Sequence, residues 1–337
     1  MIPLNRCLSH DLTMAKTAAT APLLAFDGSA DWYSTAKEKL TQLLGMPETK
    51  CDDCFRITAD SQKEGFREIE FEFQSEPGYF IPCHLLIPAG TDVPRPATIC
   101  LQGHSTGKHI SLGRKKFGSD KDEDVIPRSF ALQAVSHGLC AIVMDQRYMG
   151  IAGQDAVSGK AACLSTYPAL SALLWGRTVI GERVWDISRL IDVIEAHLTQ
   201  YINPAKIMCL GTSGGGTATY YAAALEDRIH TAVVSCALCT YEKSIMSMYH
   251  CPCNYIPGIR KFFEMGDVGC LIAPRKLVVY SGESDNIFPI EGAKSSFDTL
   301  RKAYADPNDC RMLTSPGGHG FAPELVWPVA LELLNKE

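Results

Sequence analysis

A glycine-flanked serine is the part of this 337-residue sequence best suited to chemistry. Gly211-Thr-Ser-Gly-Gly215 matches the pattern G-x-S-x-G, with an apolar run at 206–210 before it and small, helix-favouring residues after it. A strand–turn–helix of this kind exposes a serine hydroxyl at the carboxyl end of a strand, beside helix N–H groups that can hold an oxyanion. The sequence therefore predicts Ser213 as a nucleophile. A phosphate-binding turn is disfavoured, because no Gly-Lys-Ser/Thr closes the turn and the glycine spacing is not G-x-G-x-x-G.

A serine nucleophile needs a base and an acid to orient that base, and both have candidates downstream. Asp285 follows the apolar run at 276–280, and His319 follows a short predicted strand at 311–314. The order Ser, Asp, His along the chain is the one found with this serine motif. The sequence therefore predicts His319 as the base and Asp285 as its partner. Glu283, two residues before Asp285, is a competing acid.

The second donor for an oxyanion is expected in the loop after an early strand. The apolar run at 97–101 is followed by Gln102-Gly-His-Ser-Thr-Gly107. We predict the backbone N–H groups of His104 and Gly214 as the oxyanion donors. The alternative is a plain glycine-rich turn whose histidine faces solvent.

The elements that must position these residues alternate between strand and helix. Six runs of strand length are separated by helical segments, and a hairpin is predicted around Pro77-Gly78. The six runs lie near 97–101, 139–144, 206–210, 231–235, 276–280 and 310–314. This alternation predicts a parallel sheet with right-handed crossovers and helices on both faces.

With these motifs the chain resembles the α/β-hydrolase superfamily, in the bacterial branch of acetyl-xylan-esterase-like and dienelactone-hydrolase-like proteins. The stretches that carry the resemblance run in the expected order over roughly residues 65–335: Pro96–His104, Met144–Gly150, Gly211–Gly215, Ala273–Lys276, Gly282–Asp285 and Gly317–Phe321. The resemblance implies an α/β-hydrolase fold with a mostly parallel sheet of about eight strands. It also implies a triad of Ser213, Asp285 and His319 that needs no cofactor.

Two departures from the family pattern affect the expected activity. Gln102 replaces the usual histidine before the glycine of the oxyanion loop, and a serine stands where dienelactone hydrolases have a cysteine. The second departure favours ester hydrolysis over lactone opening. The expected activity is that of a serine carboxylic-ester hydrolase on small esters, with acetylated carbohydrates as a candidate class. A peptidase or amidase of the same fold, and an inactive hydrolase fold that serves as a binding protein, remain alternatives.

The domain prediction divides the chain at residue 64. Residues 1–64 are expected to form an N-terminal extension with a helix that packs on the core, and residues 65–337 the catalytic domain. Within the latter, 236–270 is a candidate lid or substrate wall. Tyr249 in this segment, together with Trp175 and Arg147, is predicted to contact substrate, with ordinary packing as the alternative.

The chain has 14 cysteines, an even number that could suggest disulfides. Cys100, Cys140 and Cys209 lie in predicted core strands, however, where a thiol packs as a small apolar group. No export signal is evident, so reduced thiols and a cytoplasmic location are expected. Two C-x-x-C pairs and His250-Cys-Pro-Cys253 contain soft ligands, but without regular zinc-ribbon spacing. We therefore expect neither a metal nor another cofactor, although a metalloenzyme that uses His104, His109 and the Cys251 region is a third alternative.

Composition excludes several kinds of partner. A net charge of −6 argues against nucleic acid and against an anionic membrane surface. The basic run at 114–116 is followed by an acidic run at 120–124, which predicts a solvated and locally neutral loop. No apolar run reaches the length of a membrane span. The expected partner is a small-molecule ester, and the oligomeric state is left open.

Overall fold

A nine-stranded sheet runs through the part of the chain that the computed structural model describes, residues 9–90, 94–150 and 166–336. Its strands in chain order are β1 Arg56–Lys63, β2 Phe66–Glu76, β3 Tyr79–Pro88, β4 Arg95–Leu101, β5 Cys140–Met144, β6 Ile202–Thr212, β7 Ile229–Ser235, β8 Lys276–Gly282 and β9 Cys310–Ser315. Across the sheet the order is β1-β2-β3-β5-β4-β6-β7-β8-β9. The first three strands join the sheet antiparallel, and the pairings from β5 to β9 are parallel. The mostly parallel sheet predicted from the sequence is confirmed.

Helices cover both faces of the sheet. They are α1 Ser9–Ala19, α2 Ala30–Leu44, α3 Asp122–Val125, α4 Phe130–Ser136, α5 Thr166–Leu174, α6 Val179–His197, α7 Gly214–Leu225, α8 Ile259–Phe262, α9 Met265–Cys270, α10 Ile290–Leu300 and α11 Pro323–Asn335. The buried faces of α2, α6 and α7 belong to one core cluster, and those of α4 and α11 belong to the other. Among the described residues, no helix has both the length and the apolar character that crossing a bilayer requires.

Strand β6 shows why the central strands read as continuous apolar runs. Ile207 and Cys209 point into the larger core cluster, whereas Met208 and Leu210 point into the cluster on the opposite face. Side chains alternate between the two faces of a strand, and here helices cover both. The side chains on both faces of the strand are therefore apolar, so the strand is a continuous apolar run in the sequence.

The ninth strand is the one difference from the sheet predicted from sequence, which has about eight. The hairpin around Pro77-Gly78 forms as expected, between β2 and β3. β1 then pairs antiparallel with the outer side of β2, and almost all of its residues are exposed. An edge strand that buries neither face has no apolar periodicity, so its sequence carries no strand signal.

The N-terminal residues share the main core. Trp32, Ala36 and Leu40 on one face of α2 are buried in the larger cluster, and the backbone N–H of Phe26 donates to Asp267 Oδ1 at 2.8 Å. The boundary expected at residue 64 falls in the turn between β1 and β2, which are hydrogen-bonded neighbours. The sheet therefore continues across that boundary.

Buried thiols occupy the strands where the sequence placed them. Cys100, Cys140 and Cys209 are fully buried, and burial raises the pKa of Cys140 and of Cys209 to about 12. A neutral thiol at these positions packs as a small apolar side chain. Among the described residues, no disulfide bond joins any two cysteines.

Candidate active site

Ser213 lies at the sharp turn between β6 and α7. Its backbone has φ 53° and ψ −122°, a conformation that non-glycine residues rarely adopt. The turn is held by a hydrogen bond of 2.9 Å from its N–H to the Ser235 carbonyl, and its own carbonyl accepts from Thr217 N–H at 2.8 Å. A strained residue that is fixed by its surroundings in this way is typical of functional sites.

The glycines of the motif are required by close backbone contacts. A Cβ atom at Gly211 would lie closer than 3.0 Å to the Gly215 carbonyl, and one at Gly215 would lie equally close to the carbonyls of Leu101 and Gln102. A side chain at Gly211 would therefore prevent the turn from closing onto α7, and one at Gly215 would prevent the turn from packing against the end of β4. The G-x-S-x-G pattern thus follows from packing at this turn.

Gly215→Ala should lower the free energy of unfolding by about 2 kcal/mol or more, because backbone atoms must move to admit the methyl group. The matched control is Gly118→Ala. A Cβ atom there meets nothing within 4 Å, so we expect a change within about 0.5 kcal/mol. Urea unfolding of the two variants and of the wild type measures the difference. Equal stability of the two variants would contradict the packing argument.

The predicted acid and base contact each other at the carboxyl edge of the sheet. His319 Nδ1 lies 2.8 Å from Asp285 Oδ2. Asp285 is buried, and its Oδ1 accepts from the N–H groups of Ile287 and Phe288 at 2.8 and 3.0 Å. Glu283, the competing acid, instead accepts a hydrogen bond from Thr314 Oγ1 at 2.9 Å. Asp285 is therefore the carboxylate that orients the imidazole.

The surroundings of Asp285 keep it ionised. Burial by itself raises the pKa of a carboxyl group, but the hydrogen bonds from His319, Phe288 and Ile287 outweigh that effect, and the pKa of Asp285 is lowered from its ordinary value. The Phe288 ring also stacks on the imidazole of His319, with centroids 6.0 Å apart and an interplanar angle of 13°. The ring and the carboxylate together hold the imidazole in one orientation.

Ser213 and His319 open into one cavity of about 260 Å³. Within the described residues, no hydrogen bond joins Ser213 Oγ to the imidazole in this conformation. Such bonds are often long in substrate-free sites and shorten when substrate binds. The cavity therefore brings Ser213 and His319 together around one space, and Asp285 binds the imidazole through Nδ1.

The loop after β4 lies directly against the serine turn, as the oxyanion prediction requires. A Cβ atom on Gly103 would lie 3.1 Å from Ser213 Cβ, and one on Gly214 would lie 2.8 Å from the ring of His104. Gly214 is the first residue of α7, where backbone N–H groups have no acceptor within the helix. The imidazole of His104 lies 3.1 Å from Cys253 Sγ through Nε2, so it does not simply face solvent.

Arg147 does not lie where its predicted contact with substrate would require. It is buried, and its guanidinium is bound by Asp186 at 2.8 Å and by Glu76 at 2.5 Å. A buried guanidinium needs such carboxylates, and they come from α6 and β2, far from Arg147 in the sequence. Trp175 and Tyr249 are 86% and 84% exposed. None of these three predicted substrate residues is among those that line the cavity at Ser213.

Charged residues from the segment 120–128 line the cavity instead. Glu123, Asp124 and Arg128 share its wall with Ser213 and His319, and Arg128 Nη2 binds Asp124 Oδ1 at 2.6 Å. The sequence predicts a solvated loop over part of this segment, because the acidic run at 120–124 neutralises the basic run at 114–116. Only the folded chain shows that it faces the candidate nucleophile.

Comparisons with known proteins agree with the fold of this chain. YtaP of Bacillus subtilis (strain 168), a protein named as a hydrolase, is 27% identical over 261 residues, which are 76% of this chain and 83% of YtaP. A protein from Bacteroides fragilis NCTC 9343, described as an acetyl xylan esterase, shares the fold with a TM-score of 0.77 and 20% identity. The match covers 94% of this chain and 84% of that one.

A glucuronoyl esterase from Solibacter usitatus also has this fold, with a TM-score of 0.67, 13% identity and coverage of 93% and 96% of the two chains. At such identities the structural likeness shows the fold alone. Residues 10–304 match the Abhydrolase family, which confirms the predicted α/β-hydrolase relationship. The match covers most of the chain, whose mostly parallel sheet and serine turn after β6 fit it, and the chain belongs to the Abhydrolase family.

Proposed function

We propose that this chain is a serine carboxylic-ester hydrolase that works through an acyl-enzyme intermediate. The observation that carries the proposal is the bond of 2.8 Å between His319 and Asp285, made at the rim of the cavity that also holds Ser213. A nucleophile on a strained turn, a histidine beside it and a buried carboxylate behind the histidine are the parts that acyl transfer needs. A protein that only binds its ligand has no need of all three.

The proposed reaction assigns a role to each of these residues. His319 Nε2 takes the proton of Ser213 Oγ as the oxygen attacks the ester carbonyl. The N–H groups of Gly214 and His104 stabilise the oxyanion, and Asp285 stabilises the imidazolium. The protonated His319 then delivers its proton to the leaving alcohol. Water, activated by the same imidazole, releases the acid and restores Ser213.

The cavity supports a small substrate. Its volume of about 260 Å³ must hold both the acyl group and the reacting part of the alcohol, and it lies below the range of about 300–1,000 Å³ usual for drug-sized ligands. Glu123, Asp124 and Arg128 offer hydrogen-bonding groups along one wall, which suits a polar alcohol such as a sugar. We therefore propose short-chain esters of carbohydrates, acetyl esters first, as the substrate class. The name of one structural relative, an acetyl xylan esterase, agrees with this choice.

Hydrolysis of p-nitrophenyl acetate, butyrate and octanoate tests the proposal. We expect turnover of the acetate, and a value of kcat/KM at least about tenfold lower for the octanoate, because its chain exceeds the space beside Ser213. Acetate release from an acetylated xylo-oligosaccharide then tests the alcohol side. Faster cleavage of p-nitroacetanilide than of the ester would support an amidase instead. A folded protein that cleaves none of these compounds would contradict the proposal.

A further inference from the structure

Three side chains with soft metal-binding atoms converge beside the candidate active site. His104 Nε2 lies 3.1 Å from Cys253 Sγ, and Cys253 Sγ lies 3.4 Å from Cys251 Sγ. The ligand atoms of all three residues lie within 4.8 Å of one another. They come from the loop after β4 and from the segment after β7, which are about 150 residues apart in the chain. Their meeting is therefore a product of the fold.

The distances suit one tetrahedral ion. Zinc binds cysteine sulfur at about 2.3 Å and histidine nitrogen at about 2.0–2.1 Å, which places two sulfurs about 3.8 Å apart and nitrogen about 3.5 Å from sulfur. The observed separations of 3.4 and 3.1 Å differ from these by a few tenths of an ångström. Small side-chain rotations can supply that difference. One imidazole and two thiolates leave one position of the ion to a further donor.

Two local features favour this cluster as a binding site. Pro252 begins a single 3-10 turn, Pro252–Asn254, which bends the chain so that the two cysteines on either side of the proline point the same way. Arg183 is fully buried, and its Nη1 lies 3.4 Å from Cys253 Sγ. The hydrogen bond from this guanidinium fixes the side chain of Cys253 in place.

The contacts of the other groups of ligand-type side chains give those groups other roles. Asp285 and His319, which form a second such group with Cys236, bind each other in the candidate triad. In a third group, Glu68 is bound by Arg114 at 2.6 Å and by His84 at 2.9 Å. His109, a candidate ligand on sequence grounds, pairs with Asp120 at 2.9 Å. Among the groups found in the described residues, the cluster of His104, Cys251 and Cys253 combines two thiols with an imidazole, and this chemistry points to a soft metal.

We propose that His104, Cys251 and Cys253 bind a thiophilic divalent cation, with Zn²⁺ as the first candidate. The ion links the loop after β4, which contains His104, to the segment 251–253. The ring of His104 also packs on Gly214. The ion therefore stabilises the position of the loop that lies against Ser213, and it takes no part in the reaction. This site differs from the expectation that the chain holds no metal, which rested on the missing zinc-ribbon spacing.

Metal binding to the full-length protein tests the proposal without any assay of hydrolysis. The protein is purified with a reductant, stripped with EDTA, loaded with Zn²⁺ and dialysed, and its zinc is counted by mass spectrometry. We expect one ion per chain. With Co²⁺ in place of zinc we expect a thiolate-to-cobalt charge-transfer band and the intense d–d bands of tetrahedral coordination.

The variants Cys251→Ser and Cys253→Ser should each lose more than about a hundredfold in zinc affinity, because even an outer partner of a ligand is worth 10- to 100-fold. The matched control is Cys54→Ser, an exposed thiol outside the cluster, which should bind zinc like the wild type. Protection of the partly exposed Cys251 from alkylation by zinc in the wild type, reversed by EDTA, gives a second measurement that does not depend on the folding of any variant.

Three results would overturn the metal site. These are zinc well below one ion per chain in the reduced wild type, equal affinity in the cysteine variants and the control, or equal alkylation of Cys251 with and without zinc. A disulfide between Cys251 and Cys253 that forms in air, without zinc binding under reducing conditions, would assign the pair to redox chemistry instead. None of these readouts depends on ester hydrolysis, so the metal site and the proposed function can fail separately.

Discussion

Ser213→Ala should abolish ester hydrolysis, with a loss in kcat on the order of a million-fold, the scale on which a serine hydrolase loses activity with its nucleophile. The fold should survive the change. The hydrogen bonds that hold the turn come from the backbone of Ser213, and an alanine keeps both. We therefore expect a thermal midpoint close to that of the wild type. The measurement is initial-rate hydrolysis of p-nitrophenyl acetate, together with thermal unfolding followed by circular dichroism.

Ser284→Ala is the matched control for the nucleophile. Ser284 lies next to Asp285, and its Oγ donates to the Pro316 carbonyl at 3.1 Å. Removal of that hydroxyl should leave kcat within a few-fold of the wild type. A Ser213→Ala protein that keeps more than about a hundredth of the activity would rule out the acyl-enzyme mechanism. If neither the wild type nor the variant cleaves esters or anilides, the hydrolase fold of this chain serves as a binding protein.

Asp285→Asn should lower kcat about ten-thousand-fold, the effect known for the same change in a serine protease. The hydrogen bonds of Asp285 explain why the same effect is expected in this protein. Oδ1 of Asp285 accepts two backbone N–H groups, from Ile287 and Phe288, and an asparagine keeps those bonds only with its carbonyl oxygen in that place. Its amide N–H₂ then faces His319 Nδ1 and donates to it. The imidazole proton moves to Nε2, which can no longer accept the proton of Ser213.

Glu283→Gln separates the tautomer effect from a general loss of acidic charge in this loop. Glu283 contacts Thr314 rather than the histidine, so a glutamine there should change kcat by less than about threefold. Both variants should unfold near the wild-type temperature. Severe damage from Glu283→Gln combined with mild damage from Asp285→Asn would show that the orienting acid is misassigned.

The charged residues that line the cavity were not predicted from the sequence. Glu123, Asp124 and Arg128 belong to a segment rich in charge that has no strand or glycine motif around it, and they reach the cavity because the fold places the short helix α3 and the turn after it there. Arg147 shows the opposite error. It follows a buried strand, as site residues often do, but carboxylates from β2 and α6 bind it inside the protein. Neither outcome is encoded in the neighbouring residues.

The sequence by itself determined the strand–turn–helix at Ser213, the order of Ser213, Asp285 and His319, and the parallel sheet that carries them. These depend on local backbone demands and on apolar runs buried on both faces, and both leave a pattern in neighbouring residues. Only the tertiary structure decided that Asp285 rather than Glu283 meets the imidazole, and that β1 adds a ninth strand. It alone brought His104 to within 3.1 Å of Cys253. The physical reason is that a contact between distant segments depends on distances set by the whole fold, whereas a sequence pattern records only what each segment needs locally.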